Sequence, residues 1–418
     1  LDNADIRLRY LEDGSANWNI VPTDEAGAET SADEPFEFNL ALQKADIRQA
    51  NFSYHDEKWL TWVDVKNLSG ILRGDLTQDI TAIRTENTEV ESLSIRYDQW
   101  PLLQNVQVGM TAEIAMNMKE WTFDFMENEF LINALPIAFD GRIGLPEGGG
   151  TFMDFSFGAT RSDFAAFLSL VPAIYTEDFE ALQTSGTLAL DGRVNGLLKG
   201  AGIPDAELHM RVADGMFRYP GLEAAASQIN MEANISVQGG DPDNLMFDLA
   251  GLTMELAGQP VEARLALRTP ISDPWIDTHL KGTLDLGALA SLLPPDPDRS
   301  LTGRVESTLE ARGNLSALEE GRYDAFHASG SFLANEVTLD VPETGSPIRV
   351  GTLISHFSPS HLEVEDFQME WEHTQLSAKG RLENLLPYAM SGATLTGRFE
   401  VDAGHINMHQ LMESLPEQ

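Results

Sequence analysis

The segment Ile229–Val237, INMEANISV, decides the fold class because apolar and polar residues alternate along it without interruption. A period of two places every apolar side chain on one face of a β-strand. Similar alternation recurs at 208–212, 261–268 and 376–382. Clusters of glycine and proline, such as Gly239–Pro242, separate these segments and are typical of turns. The chain is therefore predicted to consist mainly of antiparallel strands with one apolar face.

Helical signals are short and few. A helix is predicted over Arg161–Val171, where Ser162 is a suitable N-cap residue and Pro172 ends the helix. Two further short helices are predicted over Gly287–Leu293 and His405–Glu413. Helices of this length cannot cover the apolar side of many strands. That side must instead be covered by a second sheet, or curl around something apolar that is not protein.

An internal repeat links these elements. The segment Asp163–Pro172 aligns without gaps on Asp285–Pro294, which begins 122 residues later. Each copy is followed by a predicted strand with the same glycine spacing, at Gly186–Gly196 and at Gly303–Gly313, and a third copy begins near Leu395. The repeat unit is thus several strands followed by a short helix.

The repeats continue without an evident linker, which favours one continuous sheet over separate domains. We expect a mainly β fold: an elongated, curled antiparallel β-sheet, or repeating β-groove, with a few short helices. The expected organisation is an N-terminal β segment at 1–122, groove repeats at 123–246 and 247–362, and a truncated repeat at 363–418. The acidic segment Glu25–Pro35 is predicted to be a mobile loop.

Composition excludes several classes of function. The chain has 66 acidic and 27 basic residues, a net charge of −39, so it repels nucleic acid. The charge is spread along the chain, as expected for a solvated surface. The absence of cysteine excludes disulfides, thiolate metal sites and cysteine nucleophiles. The sequence has no apolar run of about 18 residues that would span a bilayer.

No catalytic constellation emerges from the motifs, so we predict no enzymatic activity, no metal site and no cofactor. His405 and His409 have the i, i+4 spacing of a helical metal pair, but the glutamate of a zinc hydrolase is missing between them. The triplet Gly148–Gly150 lacks the lysine of a phosphate loop and indicates a turn. Three other histidines lack the spacing of metal ligands; they are His356, His361 and His373. Asp296 and Asp298 lie in a proline-rich segment that indicates an ordinary turn.

The candidate binding residues are the apolar members of the alternating strands, which would line a lipid-holding groove or form an ordinary side-chain core. They are Leu188, Leu190, Leu208, Met210, Ile229, Met231, Ile235, Val261, Leu265, Leu280, Leu284, Phe399 and Val401. Phe152, Phe155 and Phe157, near Met153, are interpreted first as core and alternatively as lipid contacts.

Six segments in this order resemble the central region of AsmA-like proteins of Gram-negative bacteria, and together they span nearly the whole chain. None of them carries chemistry, so the resemblance rests on their order. They are Leu11–Ile20 (LEDGSANWNI), Phe167–Gly196 (FLSLVPAIYTEDFEALQTSGTLALDGRVNG), Val212–Leu222 (VADGMFRYPGL), Arg268–Asp277 (RTPISDPWID), Ala311–Gly330 (ARGNLSALEEGRYDAFHASG) and Gly380–Met390 (GRLENLLPYAM).

The resemblance implies a location and a cargo. AsmA-like proteins, similar in this to TamB and YhdP, carry an N-terminal inner-membrane helix and project into the periplasm. Their repeating β-groove, polar outside and apolar inside, is proposed to conduct phospholipid toward the outer membrane and to support its biogenesis. This chain lacks the family's membrane helix and N-terminal cap. We therefore expect an internal portion of a longer protein, with phospholipid and envelope proteins of both membranes as partners and with membrane contact through regions missing here.

Two other functions fit the pattern of alternating strands. A periplasmic scaffold could assist outer-membrane protein assembly without carrying lipid, and its sheet interior would then be packed with protein side chains. A β-sandwich adhesin or glycan-binding array would instead show compact domains and exposed aromatic platforms.

Overall fold

The computed structural model describes residues 1–17, 44–74, 80–97, 100–170, 183–200, 202–218, 225–290, 300–340, 346–372, 374–385, 388 and 394–405. Over these ranges the chain forms 21 β-strands and three α-helices of five residues each. The predicted class, mainly β and antiparallel with a few short helices, is confirmed. By its contacts the chain divides into two compact units, which are described in turn.

Unit 1 comprises Leu1–Phe179, Leu188–Leu208 and Val237–Pro242. Its strands are connected mostly by hairpins, and each long strand pairs with its neighbour in antiparallel register; β1 is the exception and pairs with β2 in parallel. The elements are β1 (Asp5–Tyr10), β2 (Lys44–Asp56), β3 (Thr61–Arg73), β4 (Ile80–Tyr97), β5 (Trp100–Thr111), β6 (Glu113–Asn117), β7 (Thr122–Ile132), β8 (Leu135–Gly144), β9 (Thr151–Asp163) and α1 (Phe164–Leu168).

Unit 2 comprises Glu180–Thr187, His209–Ser236 and Asp243–Gln418. Three strands, β10 (Gln183–Leu198), β11 (Asp205–Arg218) and β12 (Ala226–Val237), contribute residues to both units. The rest of unit 2 consists of β13 (Met246–Leu256), β14 (Gln259–Arg268), β15 (Trp275–Asp285), α2 (Leu286–Ala290), β16 (Ser300–Asn314), α3 (Leu315–Glu319), β17 (His327–Asp340), β18 (Ile348–Phe357), β19 (His361–Trp371), β20 (Thr374–Glu383) and β21 (Thr396–His405). From β12 to β21 every strand pairs antiparallel with the next one in sequence.

Several strands contain an extra residue in the left-handed conformation. Asn87 in β4, Gln228 in β12 and Glu336 in β17 have φ angles of 47°, 51° and 51°, and each lies at or beside a shift in strand register. Such β-bulges bend a strand and increase its twist. The ladders are therefore curved by specific residues.

The predicted glycine repeat has a conformational basis. Gly186 in β10 and Gly303 in β16 have φ angles of 108° and 120°, which favour glycine. Each glycine faces the bulge of the next strand, where Asp214 and Glu336 both have a φ of 51°. A Cβ atom at either glycine would lie 2.6 Å from a Cα atom of that neighbouring strand. The two copies therefore share a glycine–bulge pair as well as a glycine spacing.

We expect Gly186→Ala and Gly303→Ala each to lower the free energy of unfolding by more than about 1 kcal/mol, because alanine is strained at positive φ and its Cβ would clash. Gly251→Ala is the matched control, since Gly251 lies in a strand, has no positive φ and has open space around its Cβ position. Urea unfolding of the three variants provides the measurement. Equal effects at all three positions would contradict this account of the glycines.

The helices agree with the predicted positions but not with their extents. The prediction of a helix over Arg161–Val171 with Ser162 as N-cap is wrong in its start: Ser162 is a residue of β9, and α1 begins at Phe164 after Asp163. The cause is the continuation of strand pairing up to the helix. Helix α2 begins one residue before the predicted start at Gly287.

Several sequence predictions fall outside the described residues. They concern the loop Glu25–Pro35, the stop at Pro172, the turn containing Asp296 and Asp298, and the helix His405–Glu413 beyond His405, which ends β21. Helix α3 was not predicted.

Candidate functional site

One face of the unit 2 ladder is apolar across ten strands. Its cross-strand rows can be followed from partner to partner: Leu252 faces Ala263, Ala263 faces Leu280, and Leu280 faces Leu309. Further rows run beside this one. The surface, called the apolar face below, comprises Met231, Ala233, Ile235, Phe247, Leu249, Leu252, Val261, Ala263, Leu265, Leu267, Ile276, Leu280, Leu284, Val305, Leu309, Phe332, Ala334, Leu353, Phe357, Leu362, Val364, Phe367, Met369, Leu376, Ala378, Leu382, Phe399 and Val401.

The large side chains of the apolar face are not fully covered. In the described parts of β13–β21, no leucine, isoleucine, methionine or phenylalanine is buried; most are half-buried, and Val401 is 54% exposed. The buried members are Val261 and the alanines Ala233, Ala334 and Ala378. A broad apolar surface with partly exposed large side chains is typical of a surface that contacts another molecule. Unit 2 therefore presents apolar area that its own strands leave open.

One end of the apolar face is covered by α3. Ala317 and Leu318 of this helix are buried together with Phe326 and Ala328, and Ile276 and Phe357 are among the half-buried side chains that pack against this cluster. Such a short helix covers only the strands next to it, so α3 leaves most of the apolar face uncovered.

Helix α3 is held in place by Asp273. The carboxylate accepts hydrogen bonds from the backbone N–H of Ser316 at 3.2 Å, its hydroxyl at 2.9 Å and the side-chain amide of Asn314 at 2.9 Å. Asp273 lies in the segment Arg268–Asp277, and Ser316 lies in Ala311–Gly330. Two of the segments that carry the AsmA-like resemblance therefore contact each other and have a structural role.

Unit 1 differs from unit 2 in how its apolar side is packed, because this side contains a cluster of phenylalanines. The ring centroids of Phe139 and Phe125 lie 5.1 Å apart, those of Phe139 and Phe130 lie 5.7 Å apart, and those of Phe139 and Phe155 lie 4.8 Å apart. Phe157 extends the cluster through Phe155 at 6.3 Å. These rings stabilise one another by edge and tilted contacts. Phe155 and Phe157 thus pack against protein side chains, whereas Phe152 lies on the other face of β9 and is exposed.

The predicted lining residues fall into three groups. Leu188, Leu190, Ile229 and Val261 are buried, Leu188 to 1% exposure. A second group is half-buried and consists of Leu208, Met210, Met231, Ile235, Leu265 and Leu284. The third group is exposed and consists of Leu280, Phe399 and Val401. The pairing of β12–β21 places the predicted residues of those strands, from Met231 onward, on the same apolar face.

Prediction from sequence missed much of β18 and β19. Leu353, Phe367 and Met369 belong to the apolar face but were not named. Alternation in β19 breaks between Val364 and Phe367, where the register shifts, so a strict period of two fails there. The short alternating stretches on the two sides of this break, Leu362–Val364 and Phe367–Met369, were the signal that could have identified them.

In unit 1, the face opposite the phenylalanine cluster carries charged cross-strand pairs. Arg84 contacts Glu113 at 2.9 Å and Arg142 contacts Asp124 at 2.6 Å, and these side chains lie at the surface. The hydrogen bond from Arg84 lowers the pKa of Glu113 below its usual value. Exposed pairs of this kind contribute little stability. They mark this side of the sheet as solvated.

Two of the histidines considered in the sequence analysis have ordinary partners. His361 shares its Nδ1 atom with Ser358 and Ser360 at 2.8 and 3.0 Å, and His356 lies 3.5 Å from Glu365. In the part of the chain that the structure describes, no three His, Asp or Glu side chains are grouped so that they could hold a metal ion. The side chains of His373, His405 and His409 lie outside that part.

No described helix has the length and apolar character needed to cross a bilayer. Comparison of the chain with known family models, with curated proteins and with solved structures finds no match in any of the three.

Proposed function

We propose that this chain is a periplasmic β-groove segment of an AsmA-like protein, which shields and conducts phospholipid acyl chains between the inner and outer membranes and so supports outer-membrane biogenesis. The observation that supports the proposal best is the apolar face of unit 2, whose large side chains stay partly exposed across ten strands. In this proposal the parent protein is anchored in the inner membrane. Its partners are phospholipid and proteins of both membranes.

The apolar face suits the physical problem of moving lipid. Burial of one methylene group is worth about 0.8 kcal/mol, so transfer of a 16-carbon chain into water costs on the order of 12 kcal/mol. A surface that replaces water along the whole chain removes most of this cost. The interaction is non-directional, so it needs no single indispensable residue. Headgroups would stay at the hydrated edge.

We expect the purified chain to carry phospholipid. Solvent extraction followed by mass spectrometry should detect diacyl lipid in stoichiometric or greater amounts, and delipidated protein should take up a fluorescent phospholipid. Serum albumin treated in parallel serves as the positive control for uptake, and lysozyme as the negative control. Lipid-free protein that also takes up no fluorescent phospholipid would contradict the proposal.

A non-lipid scaffold is the second candidate, and the phenylalanine cluster of unit 1 favours it. Rings that already contact one another at 4.8–5.7 Å leave less apolar area for a lipid chain. A scaffold would hold its apolar side closed by protein contacts and bind an outer-membrane protein through its surface. The extraction experiment separates the two functions, because a scaffold has no reason to retain diacyl lipid.

A further inference from the structure

Several hairpin turns of unit 1 meet around Trp59, which lies between β2 and β3. A side chain at Gly149, in the turn between β8 and β9, would lie only 3.1 Å from the indole ring. Lys199, which follows β10, donates a hydrogen bond to the carbonyl oxygen of Gly148 at 2.6 Å. Nearby, the Tyr97 hydroxyl donates to the carbonyl oxygen of Gly200. Turns far apart in the order of strands are therefore neighbours at this end of unit 1.

Two ammonium groups converge on the same indole. The Nζ atom of Lys58 lies 5.5 Å from the centre of the Trp59 ring and 5.8 Å from that of Tyr10, and the Nζ atom of Lys199 lies 5.9 Å from the Trp59 ring. The cluster of these four side chains is called the Trp59 cluster. It concentrates positive charge in a chain whose net charge is −39.

The buried carboxylate next to the Trp59 cluster already has hydrogen-bond partners. Asp56 is 4% exposed and accepts hydrogen bonds from the Tyr54 hydroxyl at 2.7 Å and from the Trp59 backbone at 2.8 Å. Burial and the bond to Asp56 raise the pKa of Tyr54, so its hydroxyl remains a donor at ordinary pH. Across the described residues, no carboxylate forms an ion pair with Lys58 or Lys199, although Glu57 and Glu147 lie in the same turns. Because an ammonium group has three N–H donors, Lys58 can donate to an external anion, and so can Lys199 while it keeps its bond to Gly148.

We propose that Lys58 and Lys199 of the Trp59 cluster bind a phosphate ester, namely the phosphate of a phospholipid headgroup at the hydrated edge of the sheet; this assignment rests on the proposed function. Ammonium groups form charge-assisted hydrogen bonds to phosphate oxygens, and the flexible lysine stems let both reach one group. The location fits a lipid as well. Tyr54 and Phe52, which precede the cluster on β2, lie on the same side of that strand and face Val63 and Val65.

The test compares the double variant K58Q/K199Q with the control K281Q/K379Q, which removes the same charge from exposed lysines on the polar face. Circular dichroism and thermal melting establish that both fold. Binding of dihexanoyl phosphatidylglycerol, of dihexanoyl glycerol without phosphate, of sn-glycerol 3-phosphate and of inorganic phosphate is then measured, the last two by ³¹P NMR line broadening.

We expect K58Q/K199Q to bind the short-chain phospholipid about tenfold more weakly and the diacylglycerol unchanged, with K281Q/K379Q like the wild type. An equal affinity of K58Q/K199Q and the wild type for phosphatidylglycerol would overturn the assignment. If the wild type binds neither lipid, the proposed function fails, and the glycerol 3-phosphate measurement then tests the phosphate site by itself. Line broadening that is lost only in K58Q/K199Q supports a phosphate site at the two lysines. Absence of line broadening in the wild type overturns that site. Inorganic phosphate bound as tightly as the phospholipid would overturn the lipid source.

Discussion

Leu265→Glu is expected to remove most bound phospholipid while the protein stays folded. Leu265 faces Leu249 and Thr278 in the middle of the apolar face and is half-buried. A carboxylate there must lose water whenever an acyl chain covers it. Charged residues in hydrocarbon cost on the order of 3 kcal/mol, which corresponds to a loss in affinity of roughly 100-fold. Without lipid the same carboxylate remains hydrated. Lipid per protein by mass spectrometry and the melting temperature measure both effects.

The matched control is Thr308→Glu, which adds the same charge on the polar side of the same ladder. Thr308 lies directly across from Lys281, so the new carboxylate gains a cross-strand partner. Thr308→Glu should retain the lipid of the wild type. Equal lipid content in the two variants would contradict an acyl-chain role for the apolar face. Unfolding of Leu265→Glu would assign Leu265 to the protein core, and Ile235→Glu, at another half-buried position of the same face, would then repeat the test.

Leu188→Ala is expected to be strongly destabilising. Leu188 is 1% exposed, so its removal leaves a cavity, and leucine-to-alanine changes at such positions cost about 2–5 kcal/mol. Leu197→Ala is the control, because Leu197 lies in the same strand but is 41% exposed, and its loss should cost less than about 1 kcal/mol. Urea unfolding measures both. Similar values for the two variants would mean that Leu188 is not part of a packed interior.

The strand pattern was predictable wherever alternation is uninterrupted. β12, β14 and β20 coincide with the segments whose periodicity was clearest, and the short helices α1 and α2 follow the strands that the repeat predicted. The paired glycines were visible as a spacing, although their positive φ angles were not. Local rules succeeded here because the period of two and the turn residues are properties of neighbouring residues.

Prediction failed where the deciding contact is distant or the period breaks. Asp273 holds α3 through Ser316, which is 43 residues away, and neither segment alone shows the contact. The extra residue near Val364 reverses the phase of β19, so Phe367 and Met369 would be placed on the wrong side by strict alternation. For the candidate site, the sequence identified which residues are apolar. Whether each is buried depends on strand neighbours, and this separates Leu188 from Leu280, which is 38% exposed.

The bulges also bear on how such a chain tolerates changes in length. At Gln228 the strand holds one residue more than its partner needs, and the pairs next to it, at 226–227 and at 230–232, are regular. Removal of that residue would make the local strand pairing regular and would leave the side chains before and after it on their present faces. A deletion elsewhere in β12 would instead move every later side chain to the other face. One-residue insertions and deletions in related chains should therefore concentrate at positions such as Asn87, Gln228 and Glu336.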